Sequence, residues 1–156
     1  MAVAGLPAKC LDHAVVMATF ARSCLAKFTE TVDKLKDVLG PETASLGLRT
    51  GLHTGSVTAG VLRGERARFQ LFGDSVNTTA RIESLGAPGR IHLSEETAEE
   101  LRKFEKEDWL IPREERVHAK GKGRLTTFWL TIKPYGDASE RTNEQFADEQ
   151  LVPRPY

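Results

Sequence analysis

The sequence predicts a mixed α/β (α+β) domain, and three observations carry that reading. From about Asp12 to Leu39, apolar side chains recur at helical spacing, with Met17, Ala21, Cys24, Phe28, Val32, Leu35 and Leu39 on one face. Arg68 to Phe72 instead alternates in side-chain character between glycines, the pattern of a short strand. Ser94 to Phe104 combines a capping serine with Glu95, Glu96, Glu99 and Glu100 near its start and Arg102 and Lys103 near its end, an order that complements a helix dipole.

The other elements follow along the chain. Ala2 to Ala4 reads as the end of a strand, closed by Gly5-Leu-Pro7. On the long helix, Arg22, Lys27, Asp33 and Lys36 lie off the apolar face and are expected at the surface, and Gly40-Pro41 stops the helix. Ser45 to Val61 reads as one glycine-rich strand, in which Gly51, Gly55 and Gly60 permit close approach of another backbone or a ligand. Arg63 to Arg68 is a charged connection between two antiparallel strands and is assigned no site. After Phe72, Gly73-Asp-Ser supplies a turn and an N-cap, and a helix is expected from near Val76. Asn77 and Arg81 then share one face of that helix close to its N-terminus, where unpaired N–H groups and the dipole favour an anion such as phosphate. An isolated Asn and Arg at this spacing is more often a solvated pair, so the flanking residues decide its meaning.

Composition narrows the class of protein. The chain has 156 residues, 22 basic and 22 acidic side chains and a 40% hydrophobic share, which suits one core and gives no charge bias toward nucleic acid or an anionic membrane. Cys10 and Cys24 are too few for a disulfide framework and lack a paired metal-ligand pattern, so reduced, packed thiols in a cytoplasmic setting are expected. No uncharged apolar run is long enough for a membrane span, and no signal peptide is visible, although a parent protein with a membrane segment elsewhere is compatible with this. The expected domain covers residues 1–132, and residues 133–156 form a polar segment of little periodicity, expected to be a disordered tail or linker.

Four segments in order carry a resemblance to a known family. Leu46-Gly-Leu-Arg-Thr-Gly-Leu-His-Thr-Gly-Ser-Val-Thr-Ala-Gly-Val-Leu62, Arg68-Phe-Gln-Leu-Phe-Gly-Asp-Ser-Val-Asn-Thr-Thr-Ala-Arg-Ile-Glu-Ser84, Gly86-Ala-Pro-Gly-Arg-Ile-His-Leu-Ser94 and Val117-His-Ala-Lys-Gly-Lys-Gly-Arg-Leu-Thr-Thr-Phe-Trp-Leu130 resemble successive strands, turns and helices of class III adenylate and guanylate cyclases. The resemblance implies a ferredoxin-like fold missing its first strands and helices. Met1-Ala-Val-Ala-Gly-Leu-Pro7 resembles the end of a strand that in this family directly follows a metal-binding aspartate, and that aspartate is not in the chain. The expectation is a fragment of a longer cyclase, or a gene model begun at an internal methionine, with an opened central sheet.

Site residues follow by the same resemblance. Asn77 would orient the ribose, Arg81 would neutralise charge building on the α-phosphate, and Lys120 would hold the terminal phosphates, with Lys122 its competitor. Arg81 suits its task because a guanidinium stays charged and presents a fixed fork of donors. Gln70, Leu71 and Phe72 would line the purine site. Gln70 stands where adenylate cyclases typically carry Asp or a hydroxyl residue and guanylate cyclases Cys, and its amide can serve either purine, so ATP and GTP both stay open, with ATP favoured. Two Mg or Mn ions are implied, on aspartates this chain lacks, and the site would form at a homodimer or heterodimer interface with a cyclase domain that has them. The glycine-rich strand would lie along that interface.

Two functions remain open at this stage: the nucleotide-stabilising half of a cyclase that forms cAMP or cGMP and pyrophosphate, inactive alone, or a non-catalytic cyclase-like regulatory or dimerisation module. The absence of a diguanylate cyclase signature weakens that related fold, and the absence of a G-x-x-x-x-G-K-[ST] loop weakens an ATPase.

Overall fold

A computed structural model describes residues 1–63, 67–115, 117–119 and 123–132. The expected tail, 133–156, lies outside them, as do Lys120 and Lys122. The α+β reading holds. Among the described residues a four-stranded sheet runs in the order β1 (Arg49–Leu52), β4 (Arg90–Ser94), β8 (Thr127–Leu130), β5 (Leu110–Pro112), with β1 parallel to β4 and the other pairs antiparallel. Two antiparallel ribbons stand apart from it: β2 (Thr58–Leu62) with β3 (Arg68–Phe72), and β6 (Val117–Ala119) with β7 (Gly123–Leu125).

Alternation along the central strands gives the sheet two differently used faces. Ile91 and Leu93 of β4 and Phe128 and Leu130 of β8 join Leu52, Trp109 and residues of α1 (His13–Leu39) and α3 (Glu95–Lys103) in the main core. The opposite row runs Gly51, His92, Trp129, Ile111 across the four strands by direct pairing. Against that row lies α2 (Asp74–Ser84), whose Ile82 is fully buried.

Gly51 sets how closely α2 approaches. A Cβ at Gly51 would lie 2.6 Å from the Cα of Glu83, inside any real contact with backbone, so the helix crosses the strand where the strand has no side chain. The Arg49 guanidinium pairs with the Glu83 carboxylate at 3.0 Å beside this crossing.

Several sequence expectations require correction. Ala2–Ala4 forms no strand in the structure, because a strand is defined by a ladder and this segment has no strand partner among the described residues. The long helix begins after Asp12 as expected, but its buried face is Ala14, Ala18, Ala21, Leu25 and Val32. Leu35 and Leu39 are exposed. The fully buried stripe is made mostly of small side chains, with Met17 half-buried against the core and Cys24 and Phe28 half-buried. Arg22 is half-buried: its guanidinium lies 3.8 Å from the centroid of Trp109, and Nε donates to the Thr131 carbonyl.

Ser45 to Val61 is two strands and not one. A 3₁₀ turn covers Pro41–Ser45, β1 ends at Leu52, and the chain leaves the sheet through residues 53–57 before β2 starts. Likewise α2 starts at Asp74, with Gly73 at φ 131° as its N-cap; Ser75 lies inside the first turn and donates to the Ser56 carbonyl at 2.8 Å. By contrast Ser94 caps α3 as expected, its Oγ accepting from the Thr97 N–H.

Substituting Gly51→Ala is expected to lower the urea midpoint by an amount corresponding to about 1–3 kcal/mol, because backbone on α2 must move. Gly60→Ala, where an added Cβ meets nothing within 4 Å, is expected to change stability by less than about 0.5 kcal/mol. Equal effects at both positions would refute the close-approach argument.

Candidate nucleotide site

The strand β3 and helix α2 place the sequence-predicted residues. Gln70 pairs across the ribbon with Gly60 and is exposed, as is Phe72, which leaves the same face of β3. Leu71 points the other way, half-buried, into a cavity of about 620 Å³. That cavity is bounded by the Met1–Pro7 segment, His13 and Met17 of α1, and Ser75 and Thr79 of α2. Neither Asn77 nor Arg81 lines it.

Asn77 is exposed in the first turn of α2, so its backbone shares the anion-favouring end of the helix. Arg81 is half-buried and sits in the last turn. This corrects the expectation that both stand close to the N-terminus. The helix starts two residues early and is only 11 residues long, so the Arg81 side chain projects from its last turn, away from the N-terminal end of the dipole.

A second recess of about 420 Å³ opens beside the N-terminus of α2 and is lined by His53, Ser56, Asp74 and Glu96. The His53 side chain is 6% exposed, with Nδ1 2.8 Å from Ser94 Oγ and 3.5 Å from the Glu96 carboxylate. Thr54 and Thr97 exchange a hydroxyl hydrogen bond at 3.2 Å beside it. This polar group ties the break after β1 to the start of α3. Nothing in the sequence analysis singled it out, although a histidine directly after a glycine-bearing strand was a visible signal.

His92 was also missed. It is fully buried in β4, its ring 4.7 Å from that of Trp129, with Nδ1 2.7 Å from the Ile82 carbonyl. Burial pushes its pKa below the ordinary imidazole value; the bond to Ile82 opposes this, and the Arg113 and Arg90 guanidiniums add to it.

The metal ions that the resemblance implies find no fit among the residues present: among the described residues no three His, Cys, Asp or Glu side chains converge. No helix among the described residues is long and apolar enough to cross a membrane.

The family model of the adenylate and guanylate cyclase catalytic domain matches residues 1–132. The chain belongs to that family. It is 39% identical to the receptor-type guanylate cyclase gcy-28 of Caenorhabditis elegans over 130 residues, which is 83% of this chain and 10% of that protein. Among solved structures it resembles the guanylate cyclase domain of RhGC from Catenaria anguillulae in complex with GTP, at TM-score 0.64 and 32% identity, covering 81% of this chain and 64% of that one. It also resembles the catalytic core of a rhodopsin-guanylyl cyclase with converted specificity in complex with ATPalphaS, at TM-score 0.67 and 34% identity, covering 83% of this chain and 64% of that one. The fold is therefore the ferredoxin-like fold of class III cyclases, and the chain spans less than two thirds of these solved domains and about a tenth of the receptor.

The buried imidazole predicts a pH dependence. With its folded pKa below the unfolded value of about 6.5, His92 contributes its full stability above that value and loses it as pH falls through the folded pKa, because the unfolded state takes up the proton first. Thermal midpoints measured between pH 8 and 5 are expected to drop below pH 6.5, with a shallower drop in His92→Gln.

Proposed function

We propose that this chain supplies the nucleotide-stabilising half of a purine nucleotide cyclase site. The observation that carries the proposal is the family match through residue 132, spanning an intact β3–turn–α2 unit that bears Asn77 and Arg81. In the reaction, the ribose 3′-oxygen attacks the α-phosphorus of ATP or GTP, the bond to the β-phosphate oxygen breaks, the hydroxyl proton passes to base or solvent, and pyrophosphate leaves. Asn77 orients the ribose, Arg81 offsets charge on the α-phosphate, and Gln70 and Phe72, with the backbone of Leu71 between them, contact the purine. Lys120 holds the terminal phosphates. Each task is electrostatic positioning, for which preformed donors suffice.

Magnesium or manganese would be held by carboxylates of a cyclase-domain partner, a second copy of a longer chain or a different subunit. The β2–β3 ribbon supports such pairing: Val61 and Phe69 face each other across it and are 59% and 64% exposed. An isolated two-strand ribbon with apolar side chains in water gains most by covering them. The lack of converging carboxylates among the described residues favours a second reading, a cyclase-like regulatory module that binds nucleotide without turning it over.

Cyclic nucleotide production from ATP and from GTP with manganese separates the two. The chain alone is expected to be inactive, and a mixture with a cyclase domain bearing the metal site is expected to be active, losing about 10²–10³-fold with Arg81→Ala. An inactive mixture shown to be folded and dimeric would move the assignment to the regulatory module.

A further inference from the structure

The last turn of α2 is gripped from the sheet by two side chains. His92 Nδ1 lies 2.7 Å from the Ile82 carbonyl, and Arg113 Nη1 lies 2.8 Å from the Leu85 carbonyl. The same Arg113 nitrogen is 3.4 Å from His92 Nε2. These contacts select one protonation state. A carbonyl only accepts, so Nδ1 carries the hydrogen; a guanidinium only donates, so Nε2 presents its lone pair. His92 is therefore the neutral Nδ1–H tautomer.

The grip falls on the residues around Arg81. Ile82 is its neighbour in sequence, and the Leu85 N–H donates to the Arg81 carbonyl at 3.0 Å. A displacement of either anchored residue moves the Arg81 backbone, and a shift of about 1 Å in a positioning group can cost about 10²-fold in rate. Trp129 backs the arrangement, with the Arg113 and Arg90 guanidiniums 5.0 and 4.0 Å from its ring centroid. The charged groups acting on His92 are those two arginines. The nearby carboxylate of α2, Glu83, is paired with Arg49. Protonating His92 would set an N–H against the Arg113 donor and add a buried cation beside two others.

We propose that His92 and Arg113 are positioning residues that hold the end of α2, and with it Arg81, and that this hold requires His92 to be neutral. The consequence for turnover rests on the proposed role of Arg81; the hold itself does not.

The test uses the full chain. Nitrogen-15 histidine spectra are expected to show the Nδ1–H tautomer for His92. In Arg113→Met, which keeps the apolar stem and removes the donors, amide hydrogen exchange at Leu85 and Gly86 is expected to rise at least about tenfold while the buried amides of α3 and of the β4–β8 pair keep their protection. The His92 titration is expected to move up toward the ordinary value as one neighbouring cation is lost. In a mixture with a cyclase domain carrying the metal site, kcat is expected to fall at least about tenfold with KM changed less than twofold. The Nε2–H tautomer, unchanged exchange at Leu85 and Gly86, or a uniform loss of protection in every element would overturn the hold. His92→Asn, whose amide keeps a donor for Ile82 but places no acceptor where Nε2 meets Arg113, gives a second route should Arg113→Met not fold, with the same local exchange expected. If the unsubstituted mixture is itself inactive, the proposed cyclase role fails while the exchange data still decide the hold.

Discussion

The seating of α2 across Gly51 is the constraint on which the rest of the described structure depends. Helix and strand meet where the strand has no side chain, and the helix backbone occupies the space a Cβ would need. That contact brings Ile82 into a fully buried position and puts its carbonyl within reach of His92, the residue paired with Gly51 on the next strand. The row continues to Trp129, whose indole supports both arginines near the helix end. One glycine thus sets the height of the helix, and the side chains beside it along the sheet set its end. Asn77 and Arg81, both on this helix, inherit their place from this row.

At its other end, α2 is tied to the break between β1 and β2. The Ser75 hydroxyl reaches the Ser56 carbonyl, in the stretch where the chain leaves the sheet, and His53 fastens that stretch to the Ser94 and Thr97 hydroxyls through its own bond to Ser94. The irregular residues 53–57 therefore serve as a joint between helix α2 and helix α3. A continuous strand over Ser45 to Val61 could not do this, because its backbone groups would be committed to a ladder.

The elements legible in the sequence were those whose cause is local. The cap at Ser94, the charge order along α3 and the alternation of β3 are written in a few consecutive residues, and each is present. What escaped depends on partners distant in sequence. The buried face of α1 follows the small residues Ala14, Ala18 and Ala21, which a close-packed interior accepts, whereas hydrophobicity alone ranks Leu35 above them although it is exposed. Ala2 to Ala4 has strand-like composition, but strand formation needs a neighbour. For the site, the four-residue spacing of Asn77 and Arg81 on one helix was readable from the sequence, whereas the position of Arg81 in the last turn depended on where the helix starts. His92 was the most informative residue passed over. A histidine between Ile91 and Leu93 must satisfy both ring nitrogens in the interior, and its partners lie on α2 and beyond β5.

The carboxylates of the described residues are largely committed to local partners, whichever of the two proposed readings holds. Glu30 lies between Lys27 and Lys34, which lower its pKa to about 2, and Asp33 pairs with Lys36. Glu83 is held by Arg49, Glu100 by Lys103 and Glu107 by Arg102, while Glu96 faces His53. Each of these acids lies against a cation or an imidazole, and a divalent ion needs several oxygens converging on one point. The face bearing Asn77 and Arg81 instead offers an amide and a guanidinium, groups that hold a ribose and a phosphate but generate no nucleophile. In the proposed assignment, turnover therefore requires a second surface rich in carboxylates, and the exposed pair Val61 and Phe69 gives the ribbon beside β3 an apolar means of meeting it.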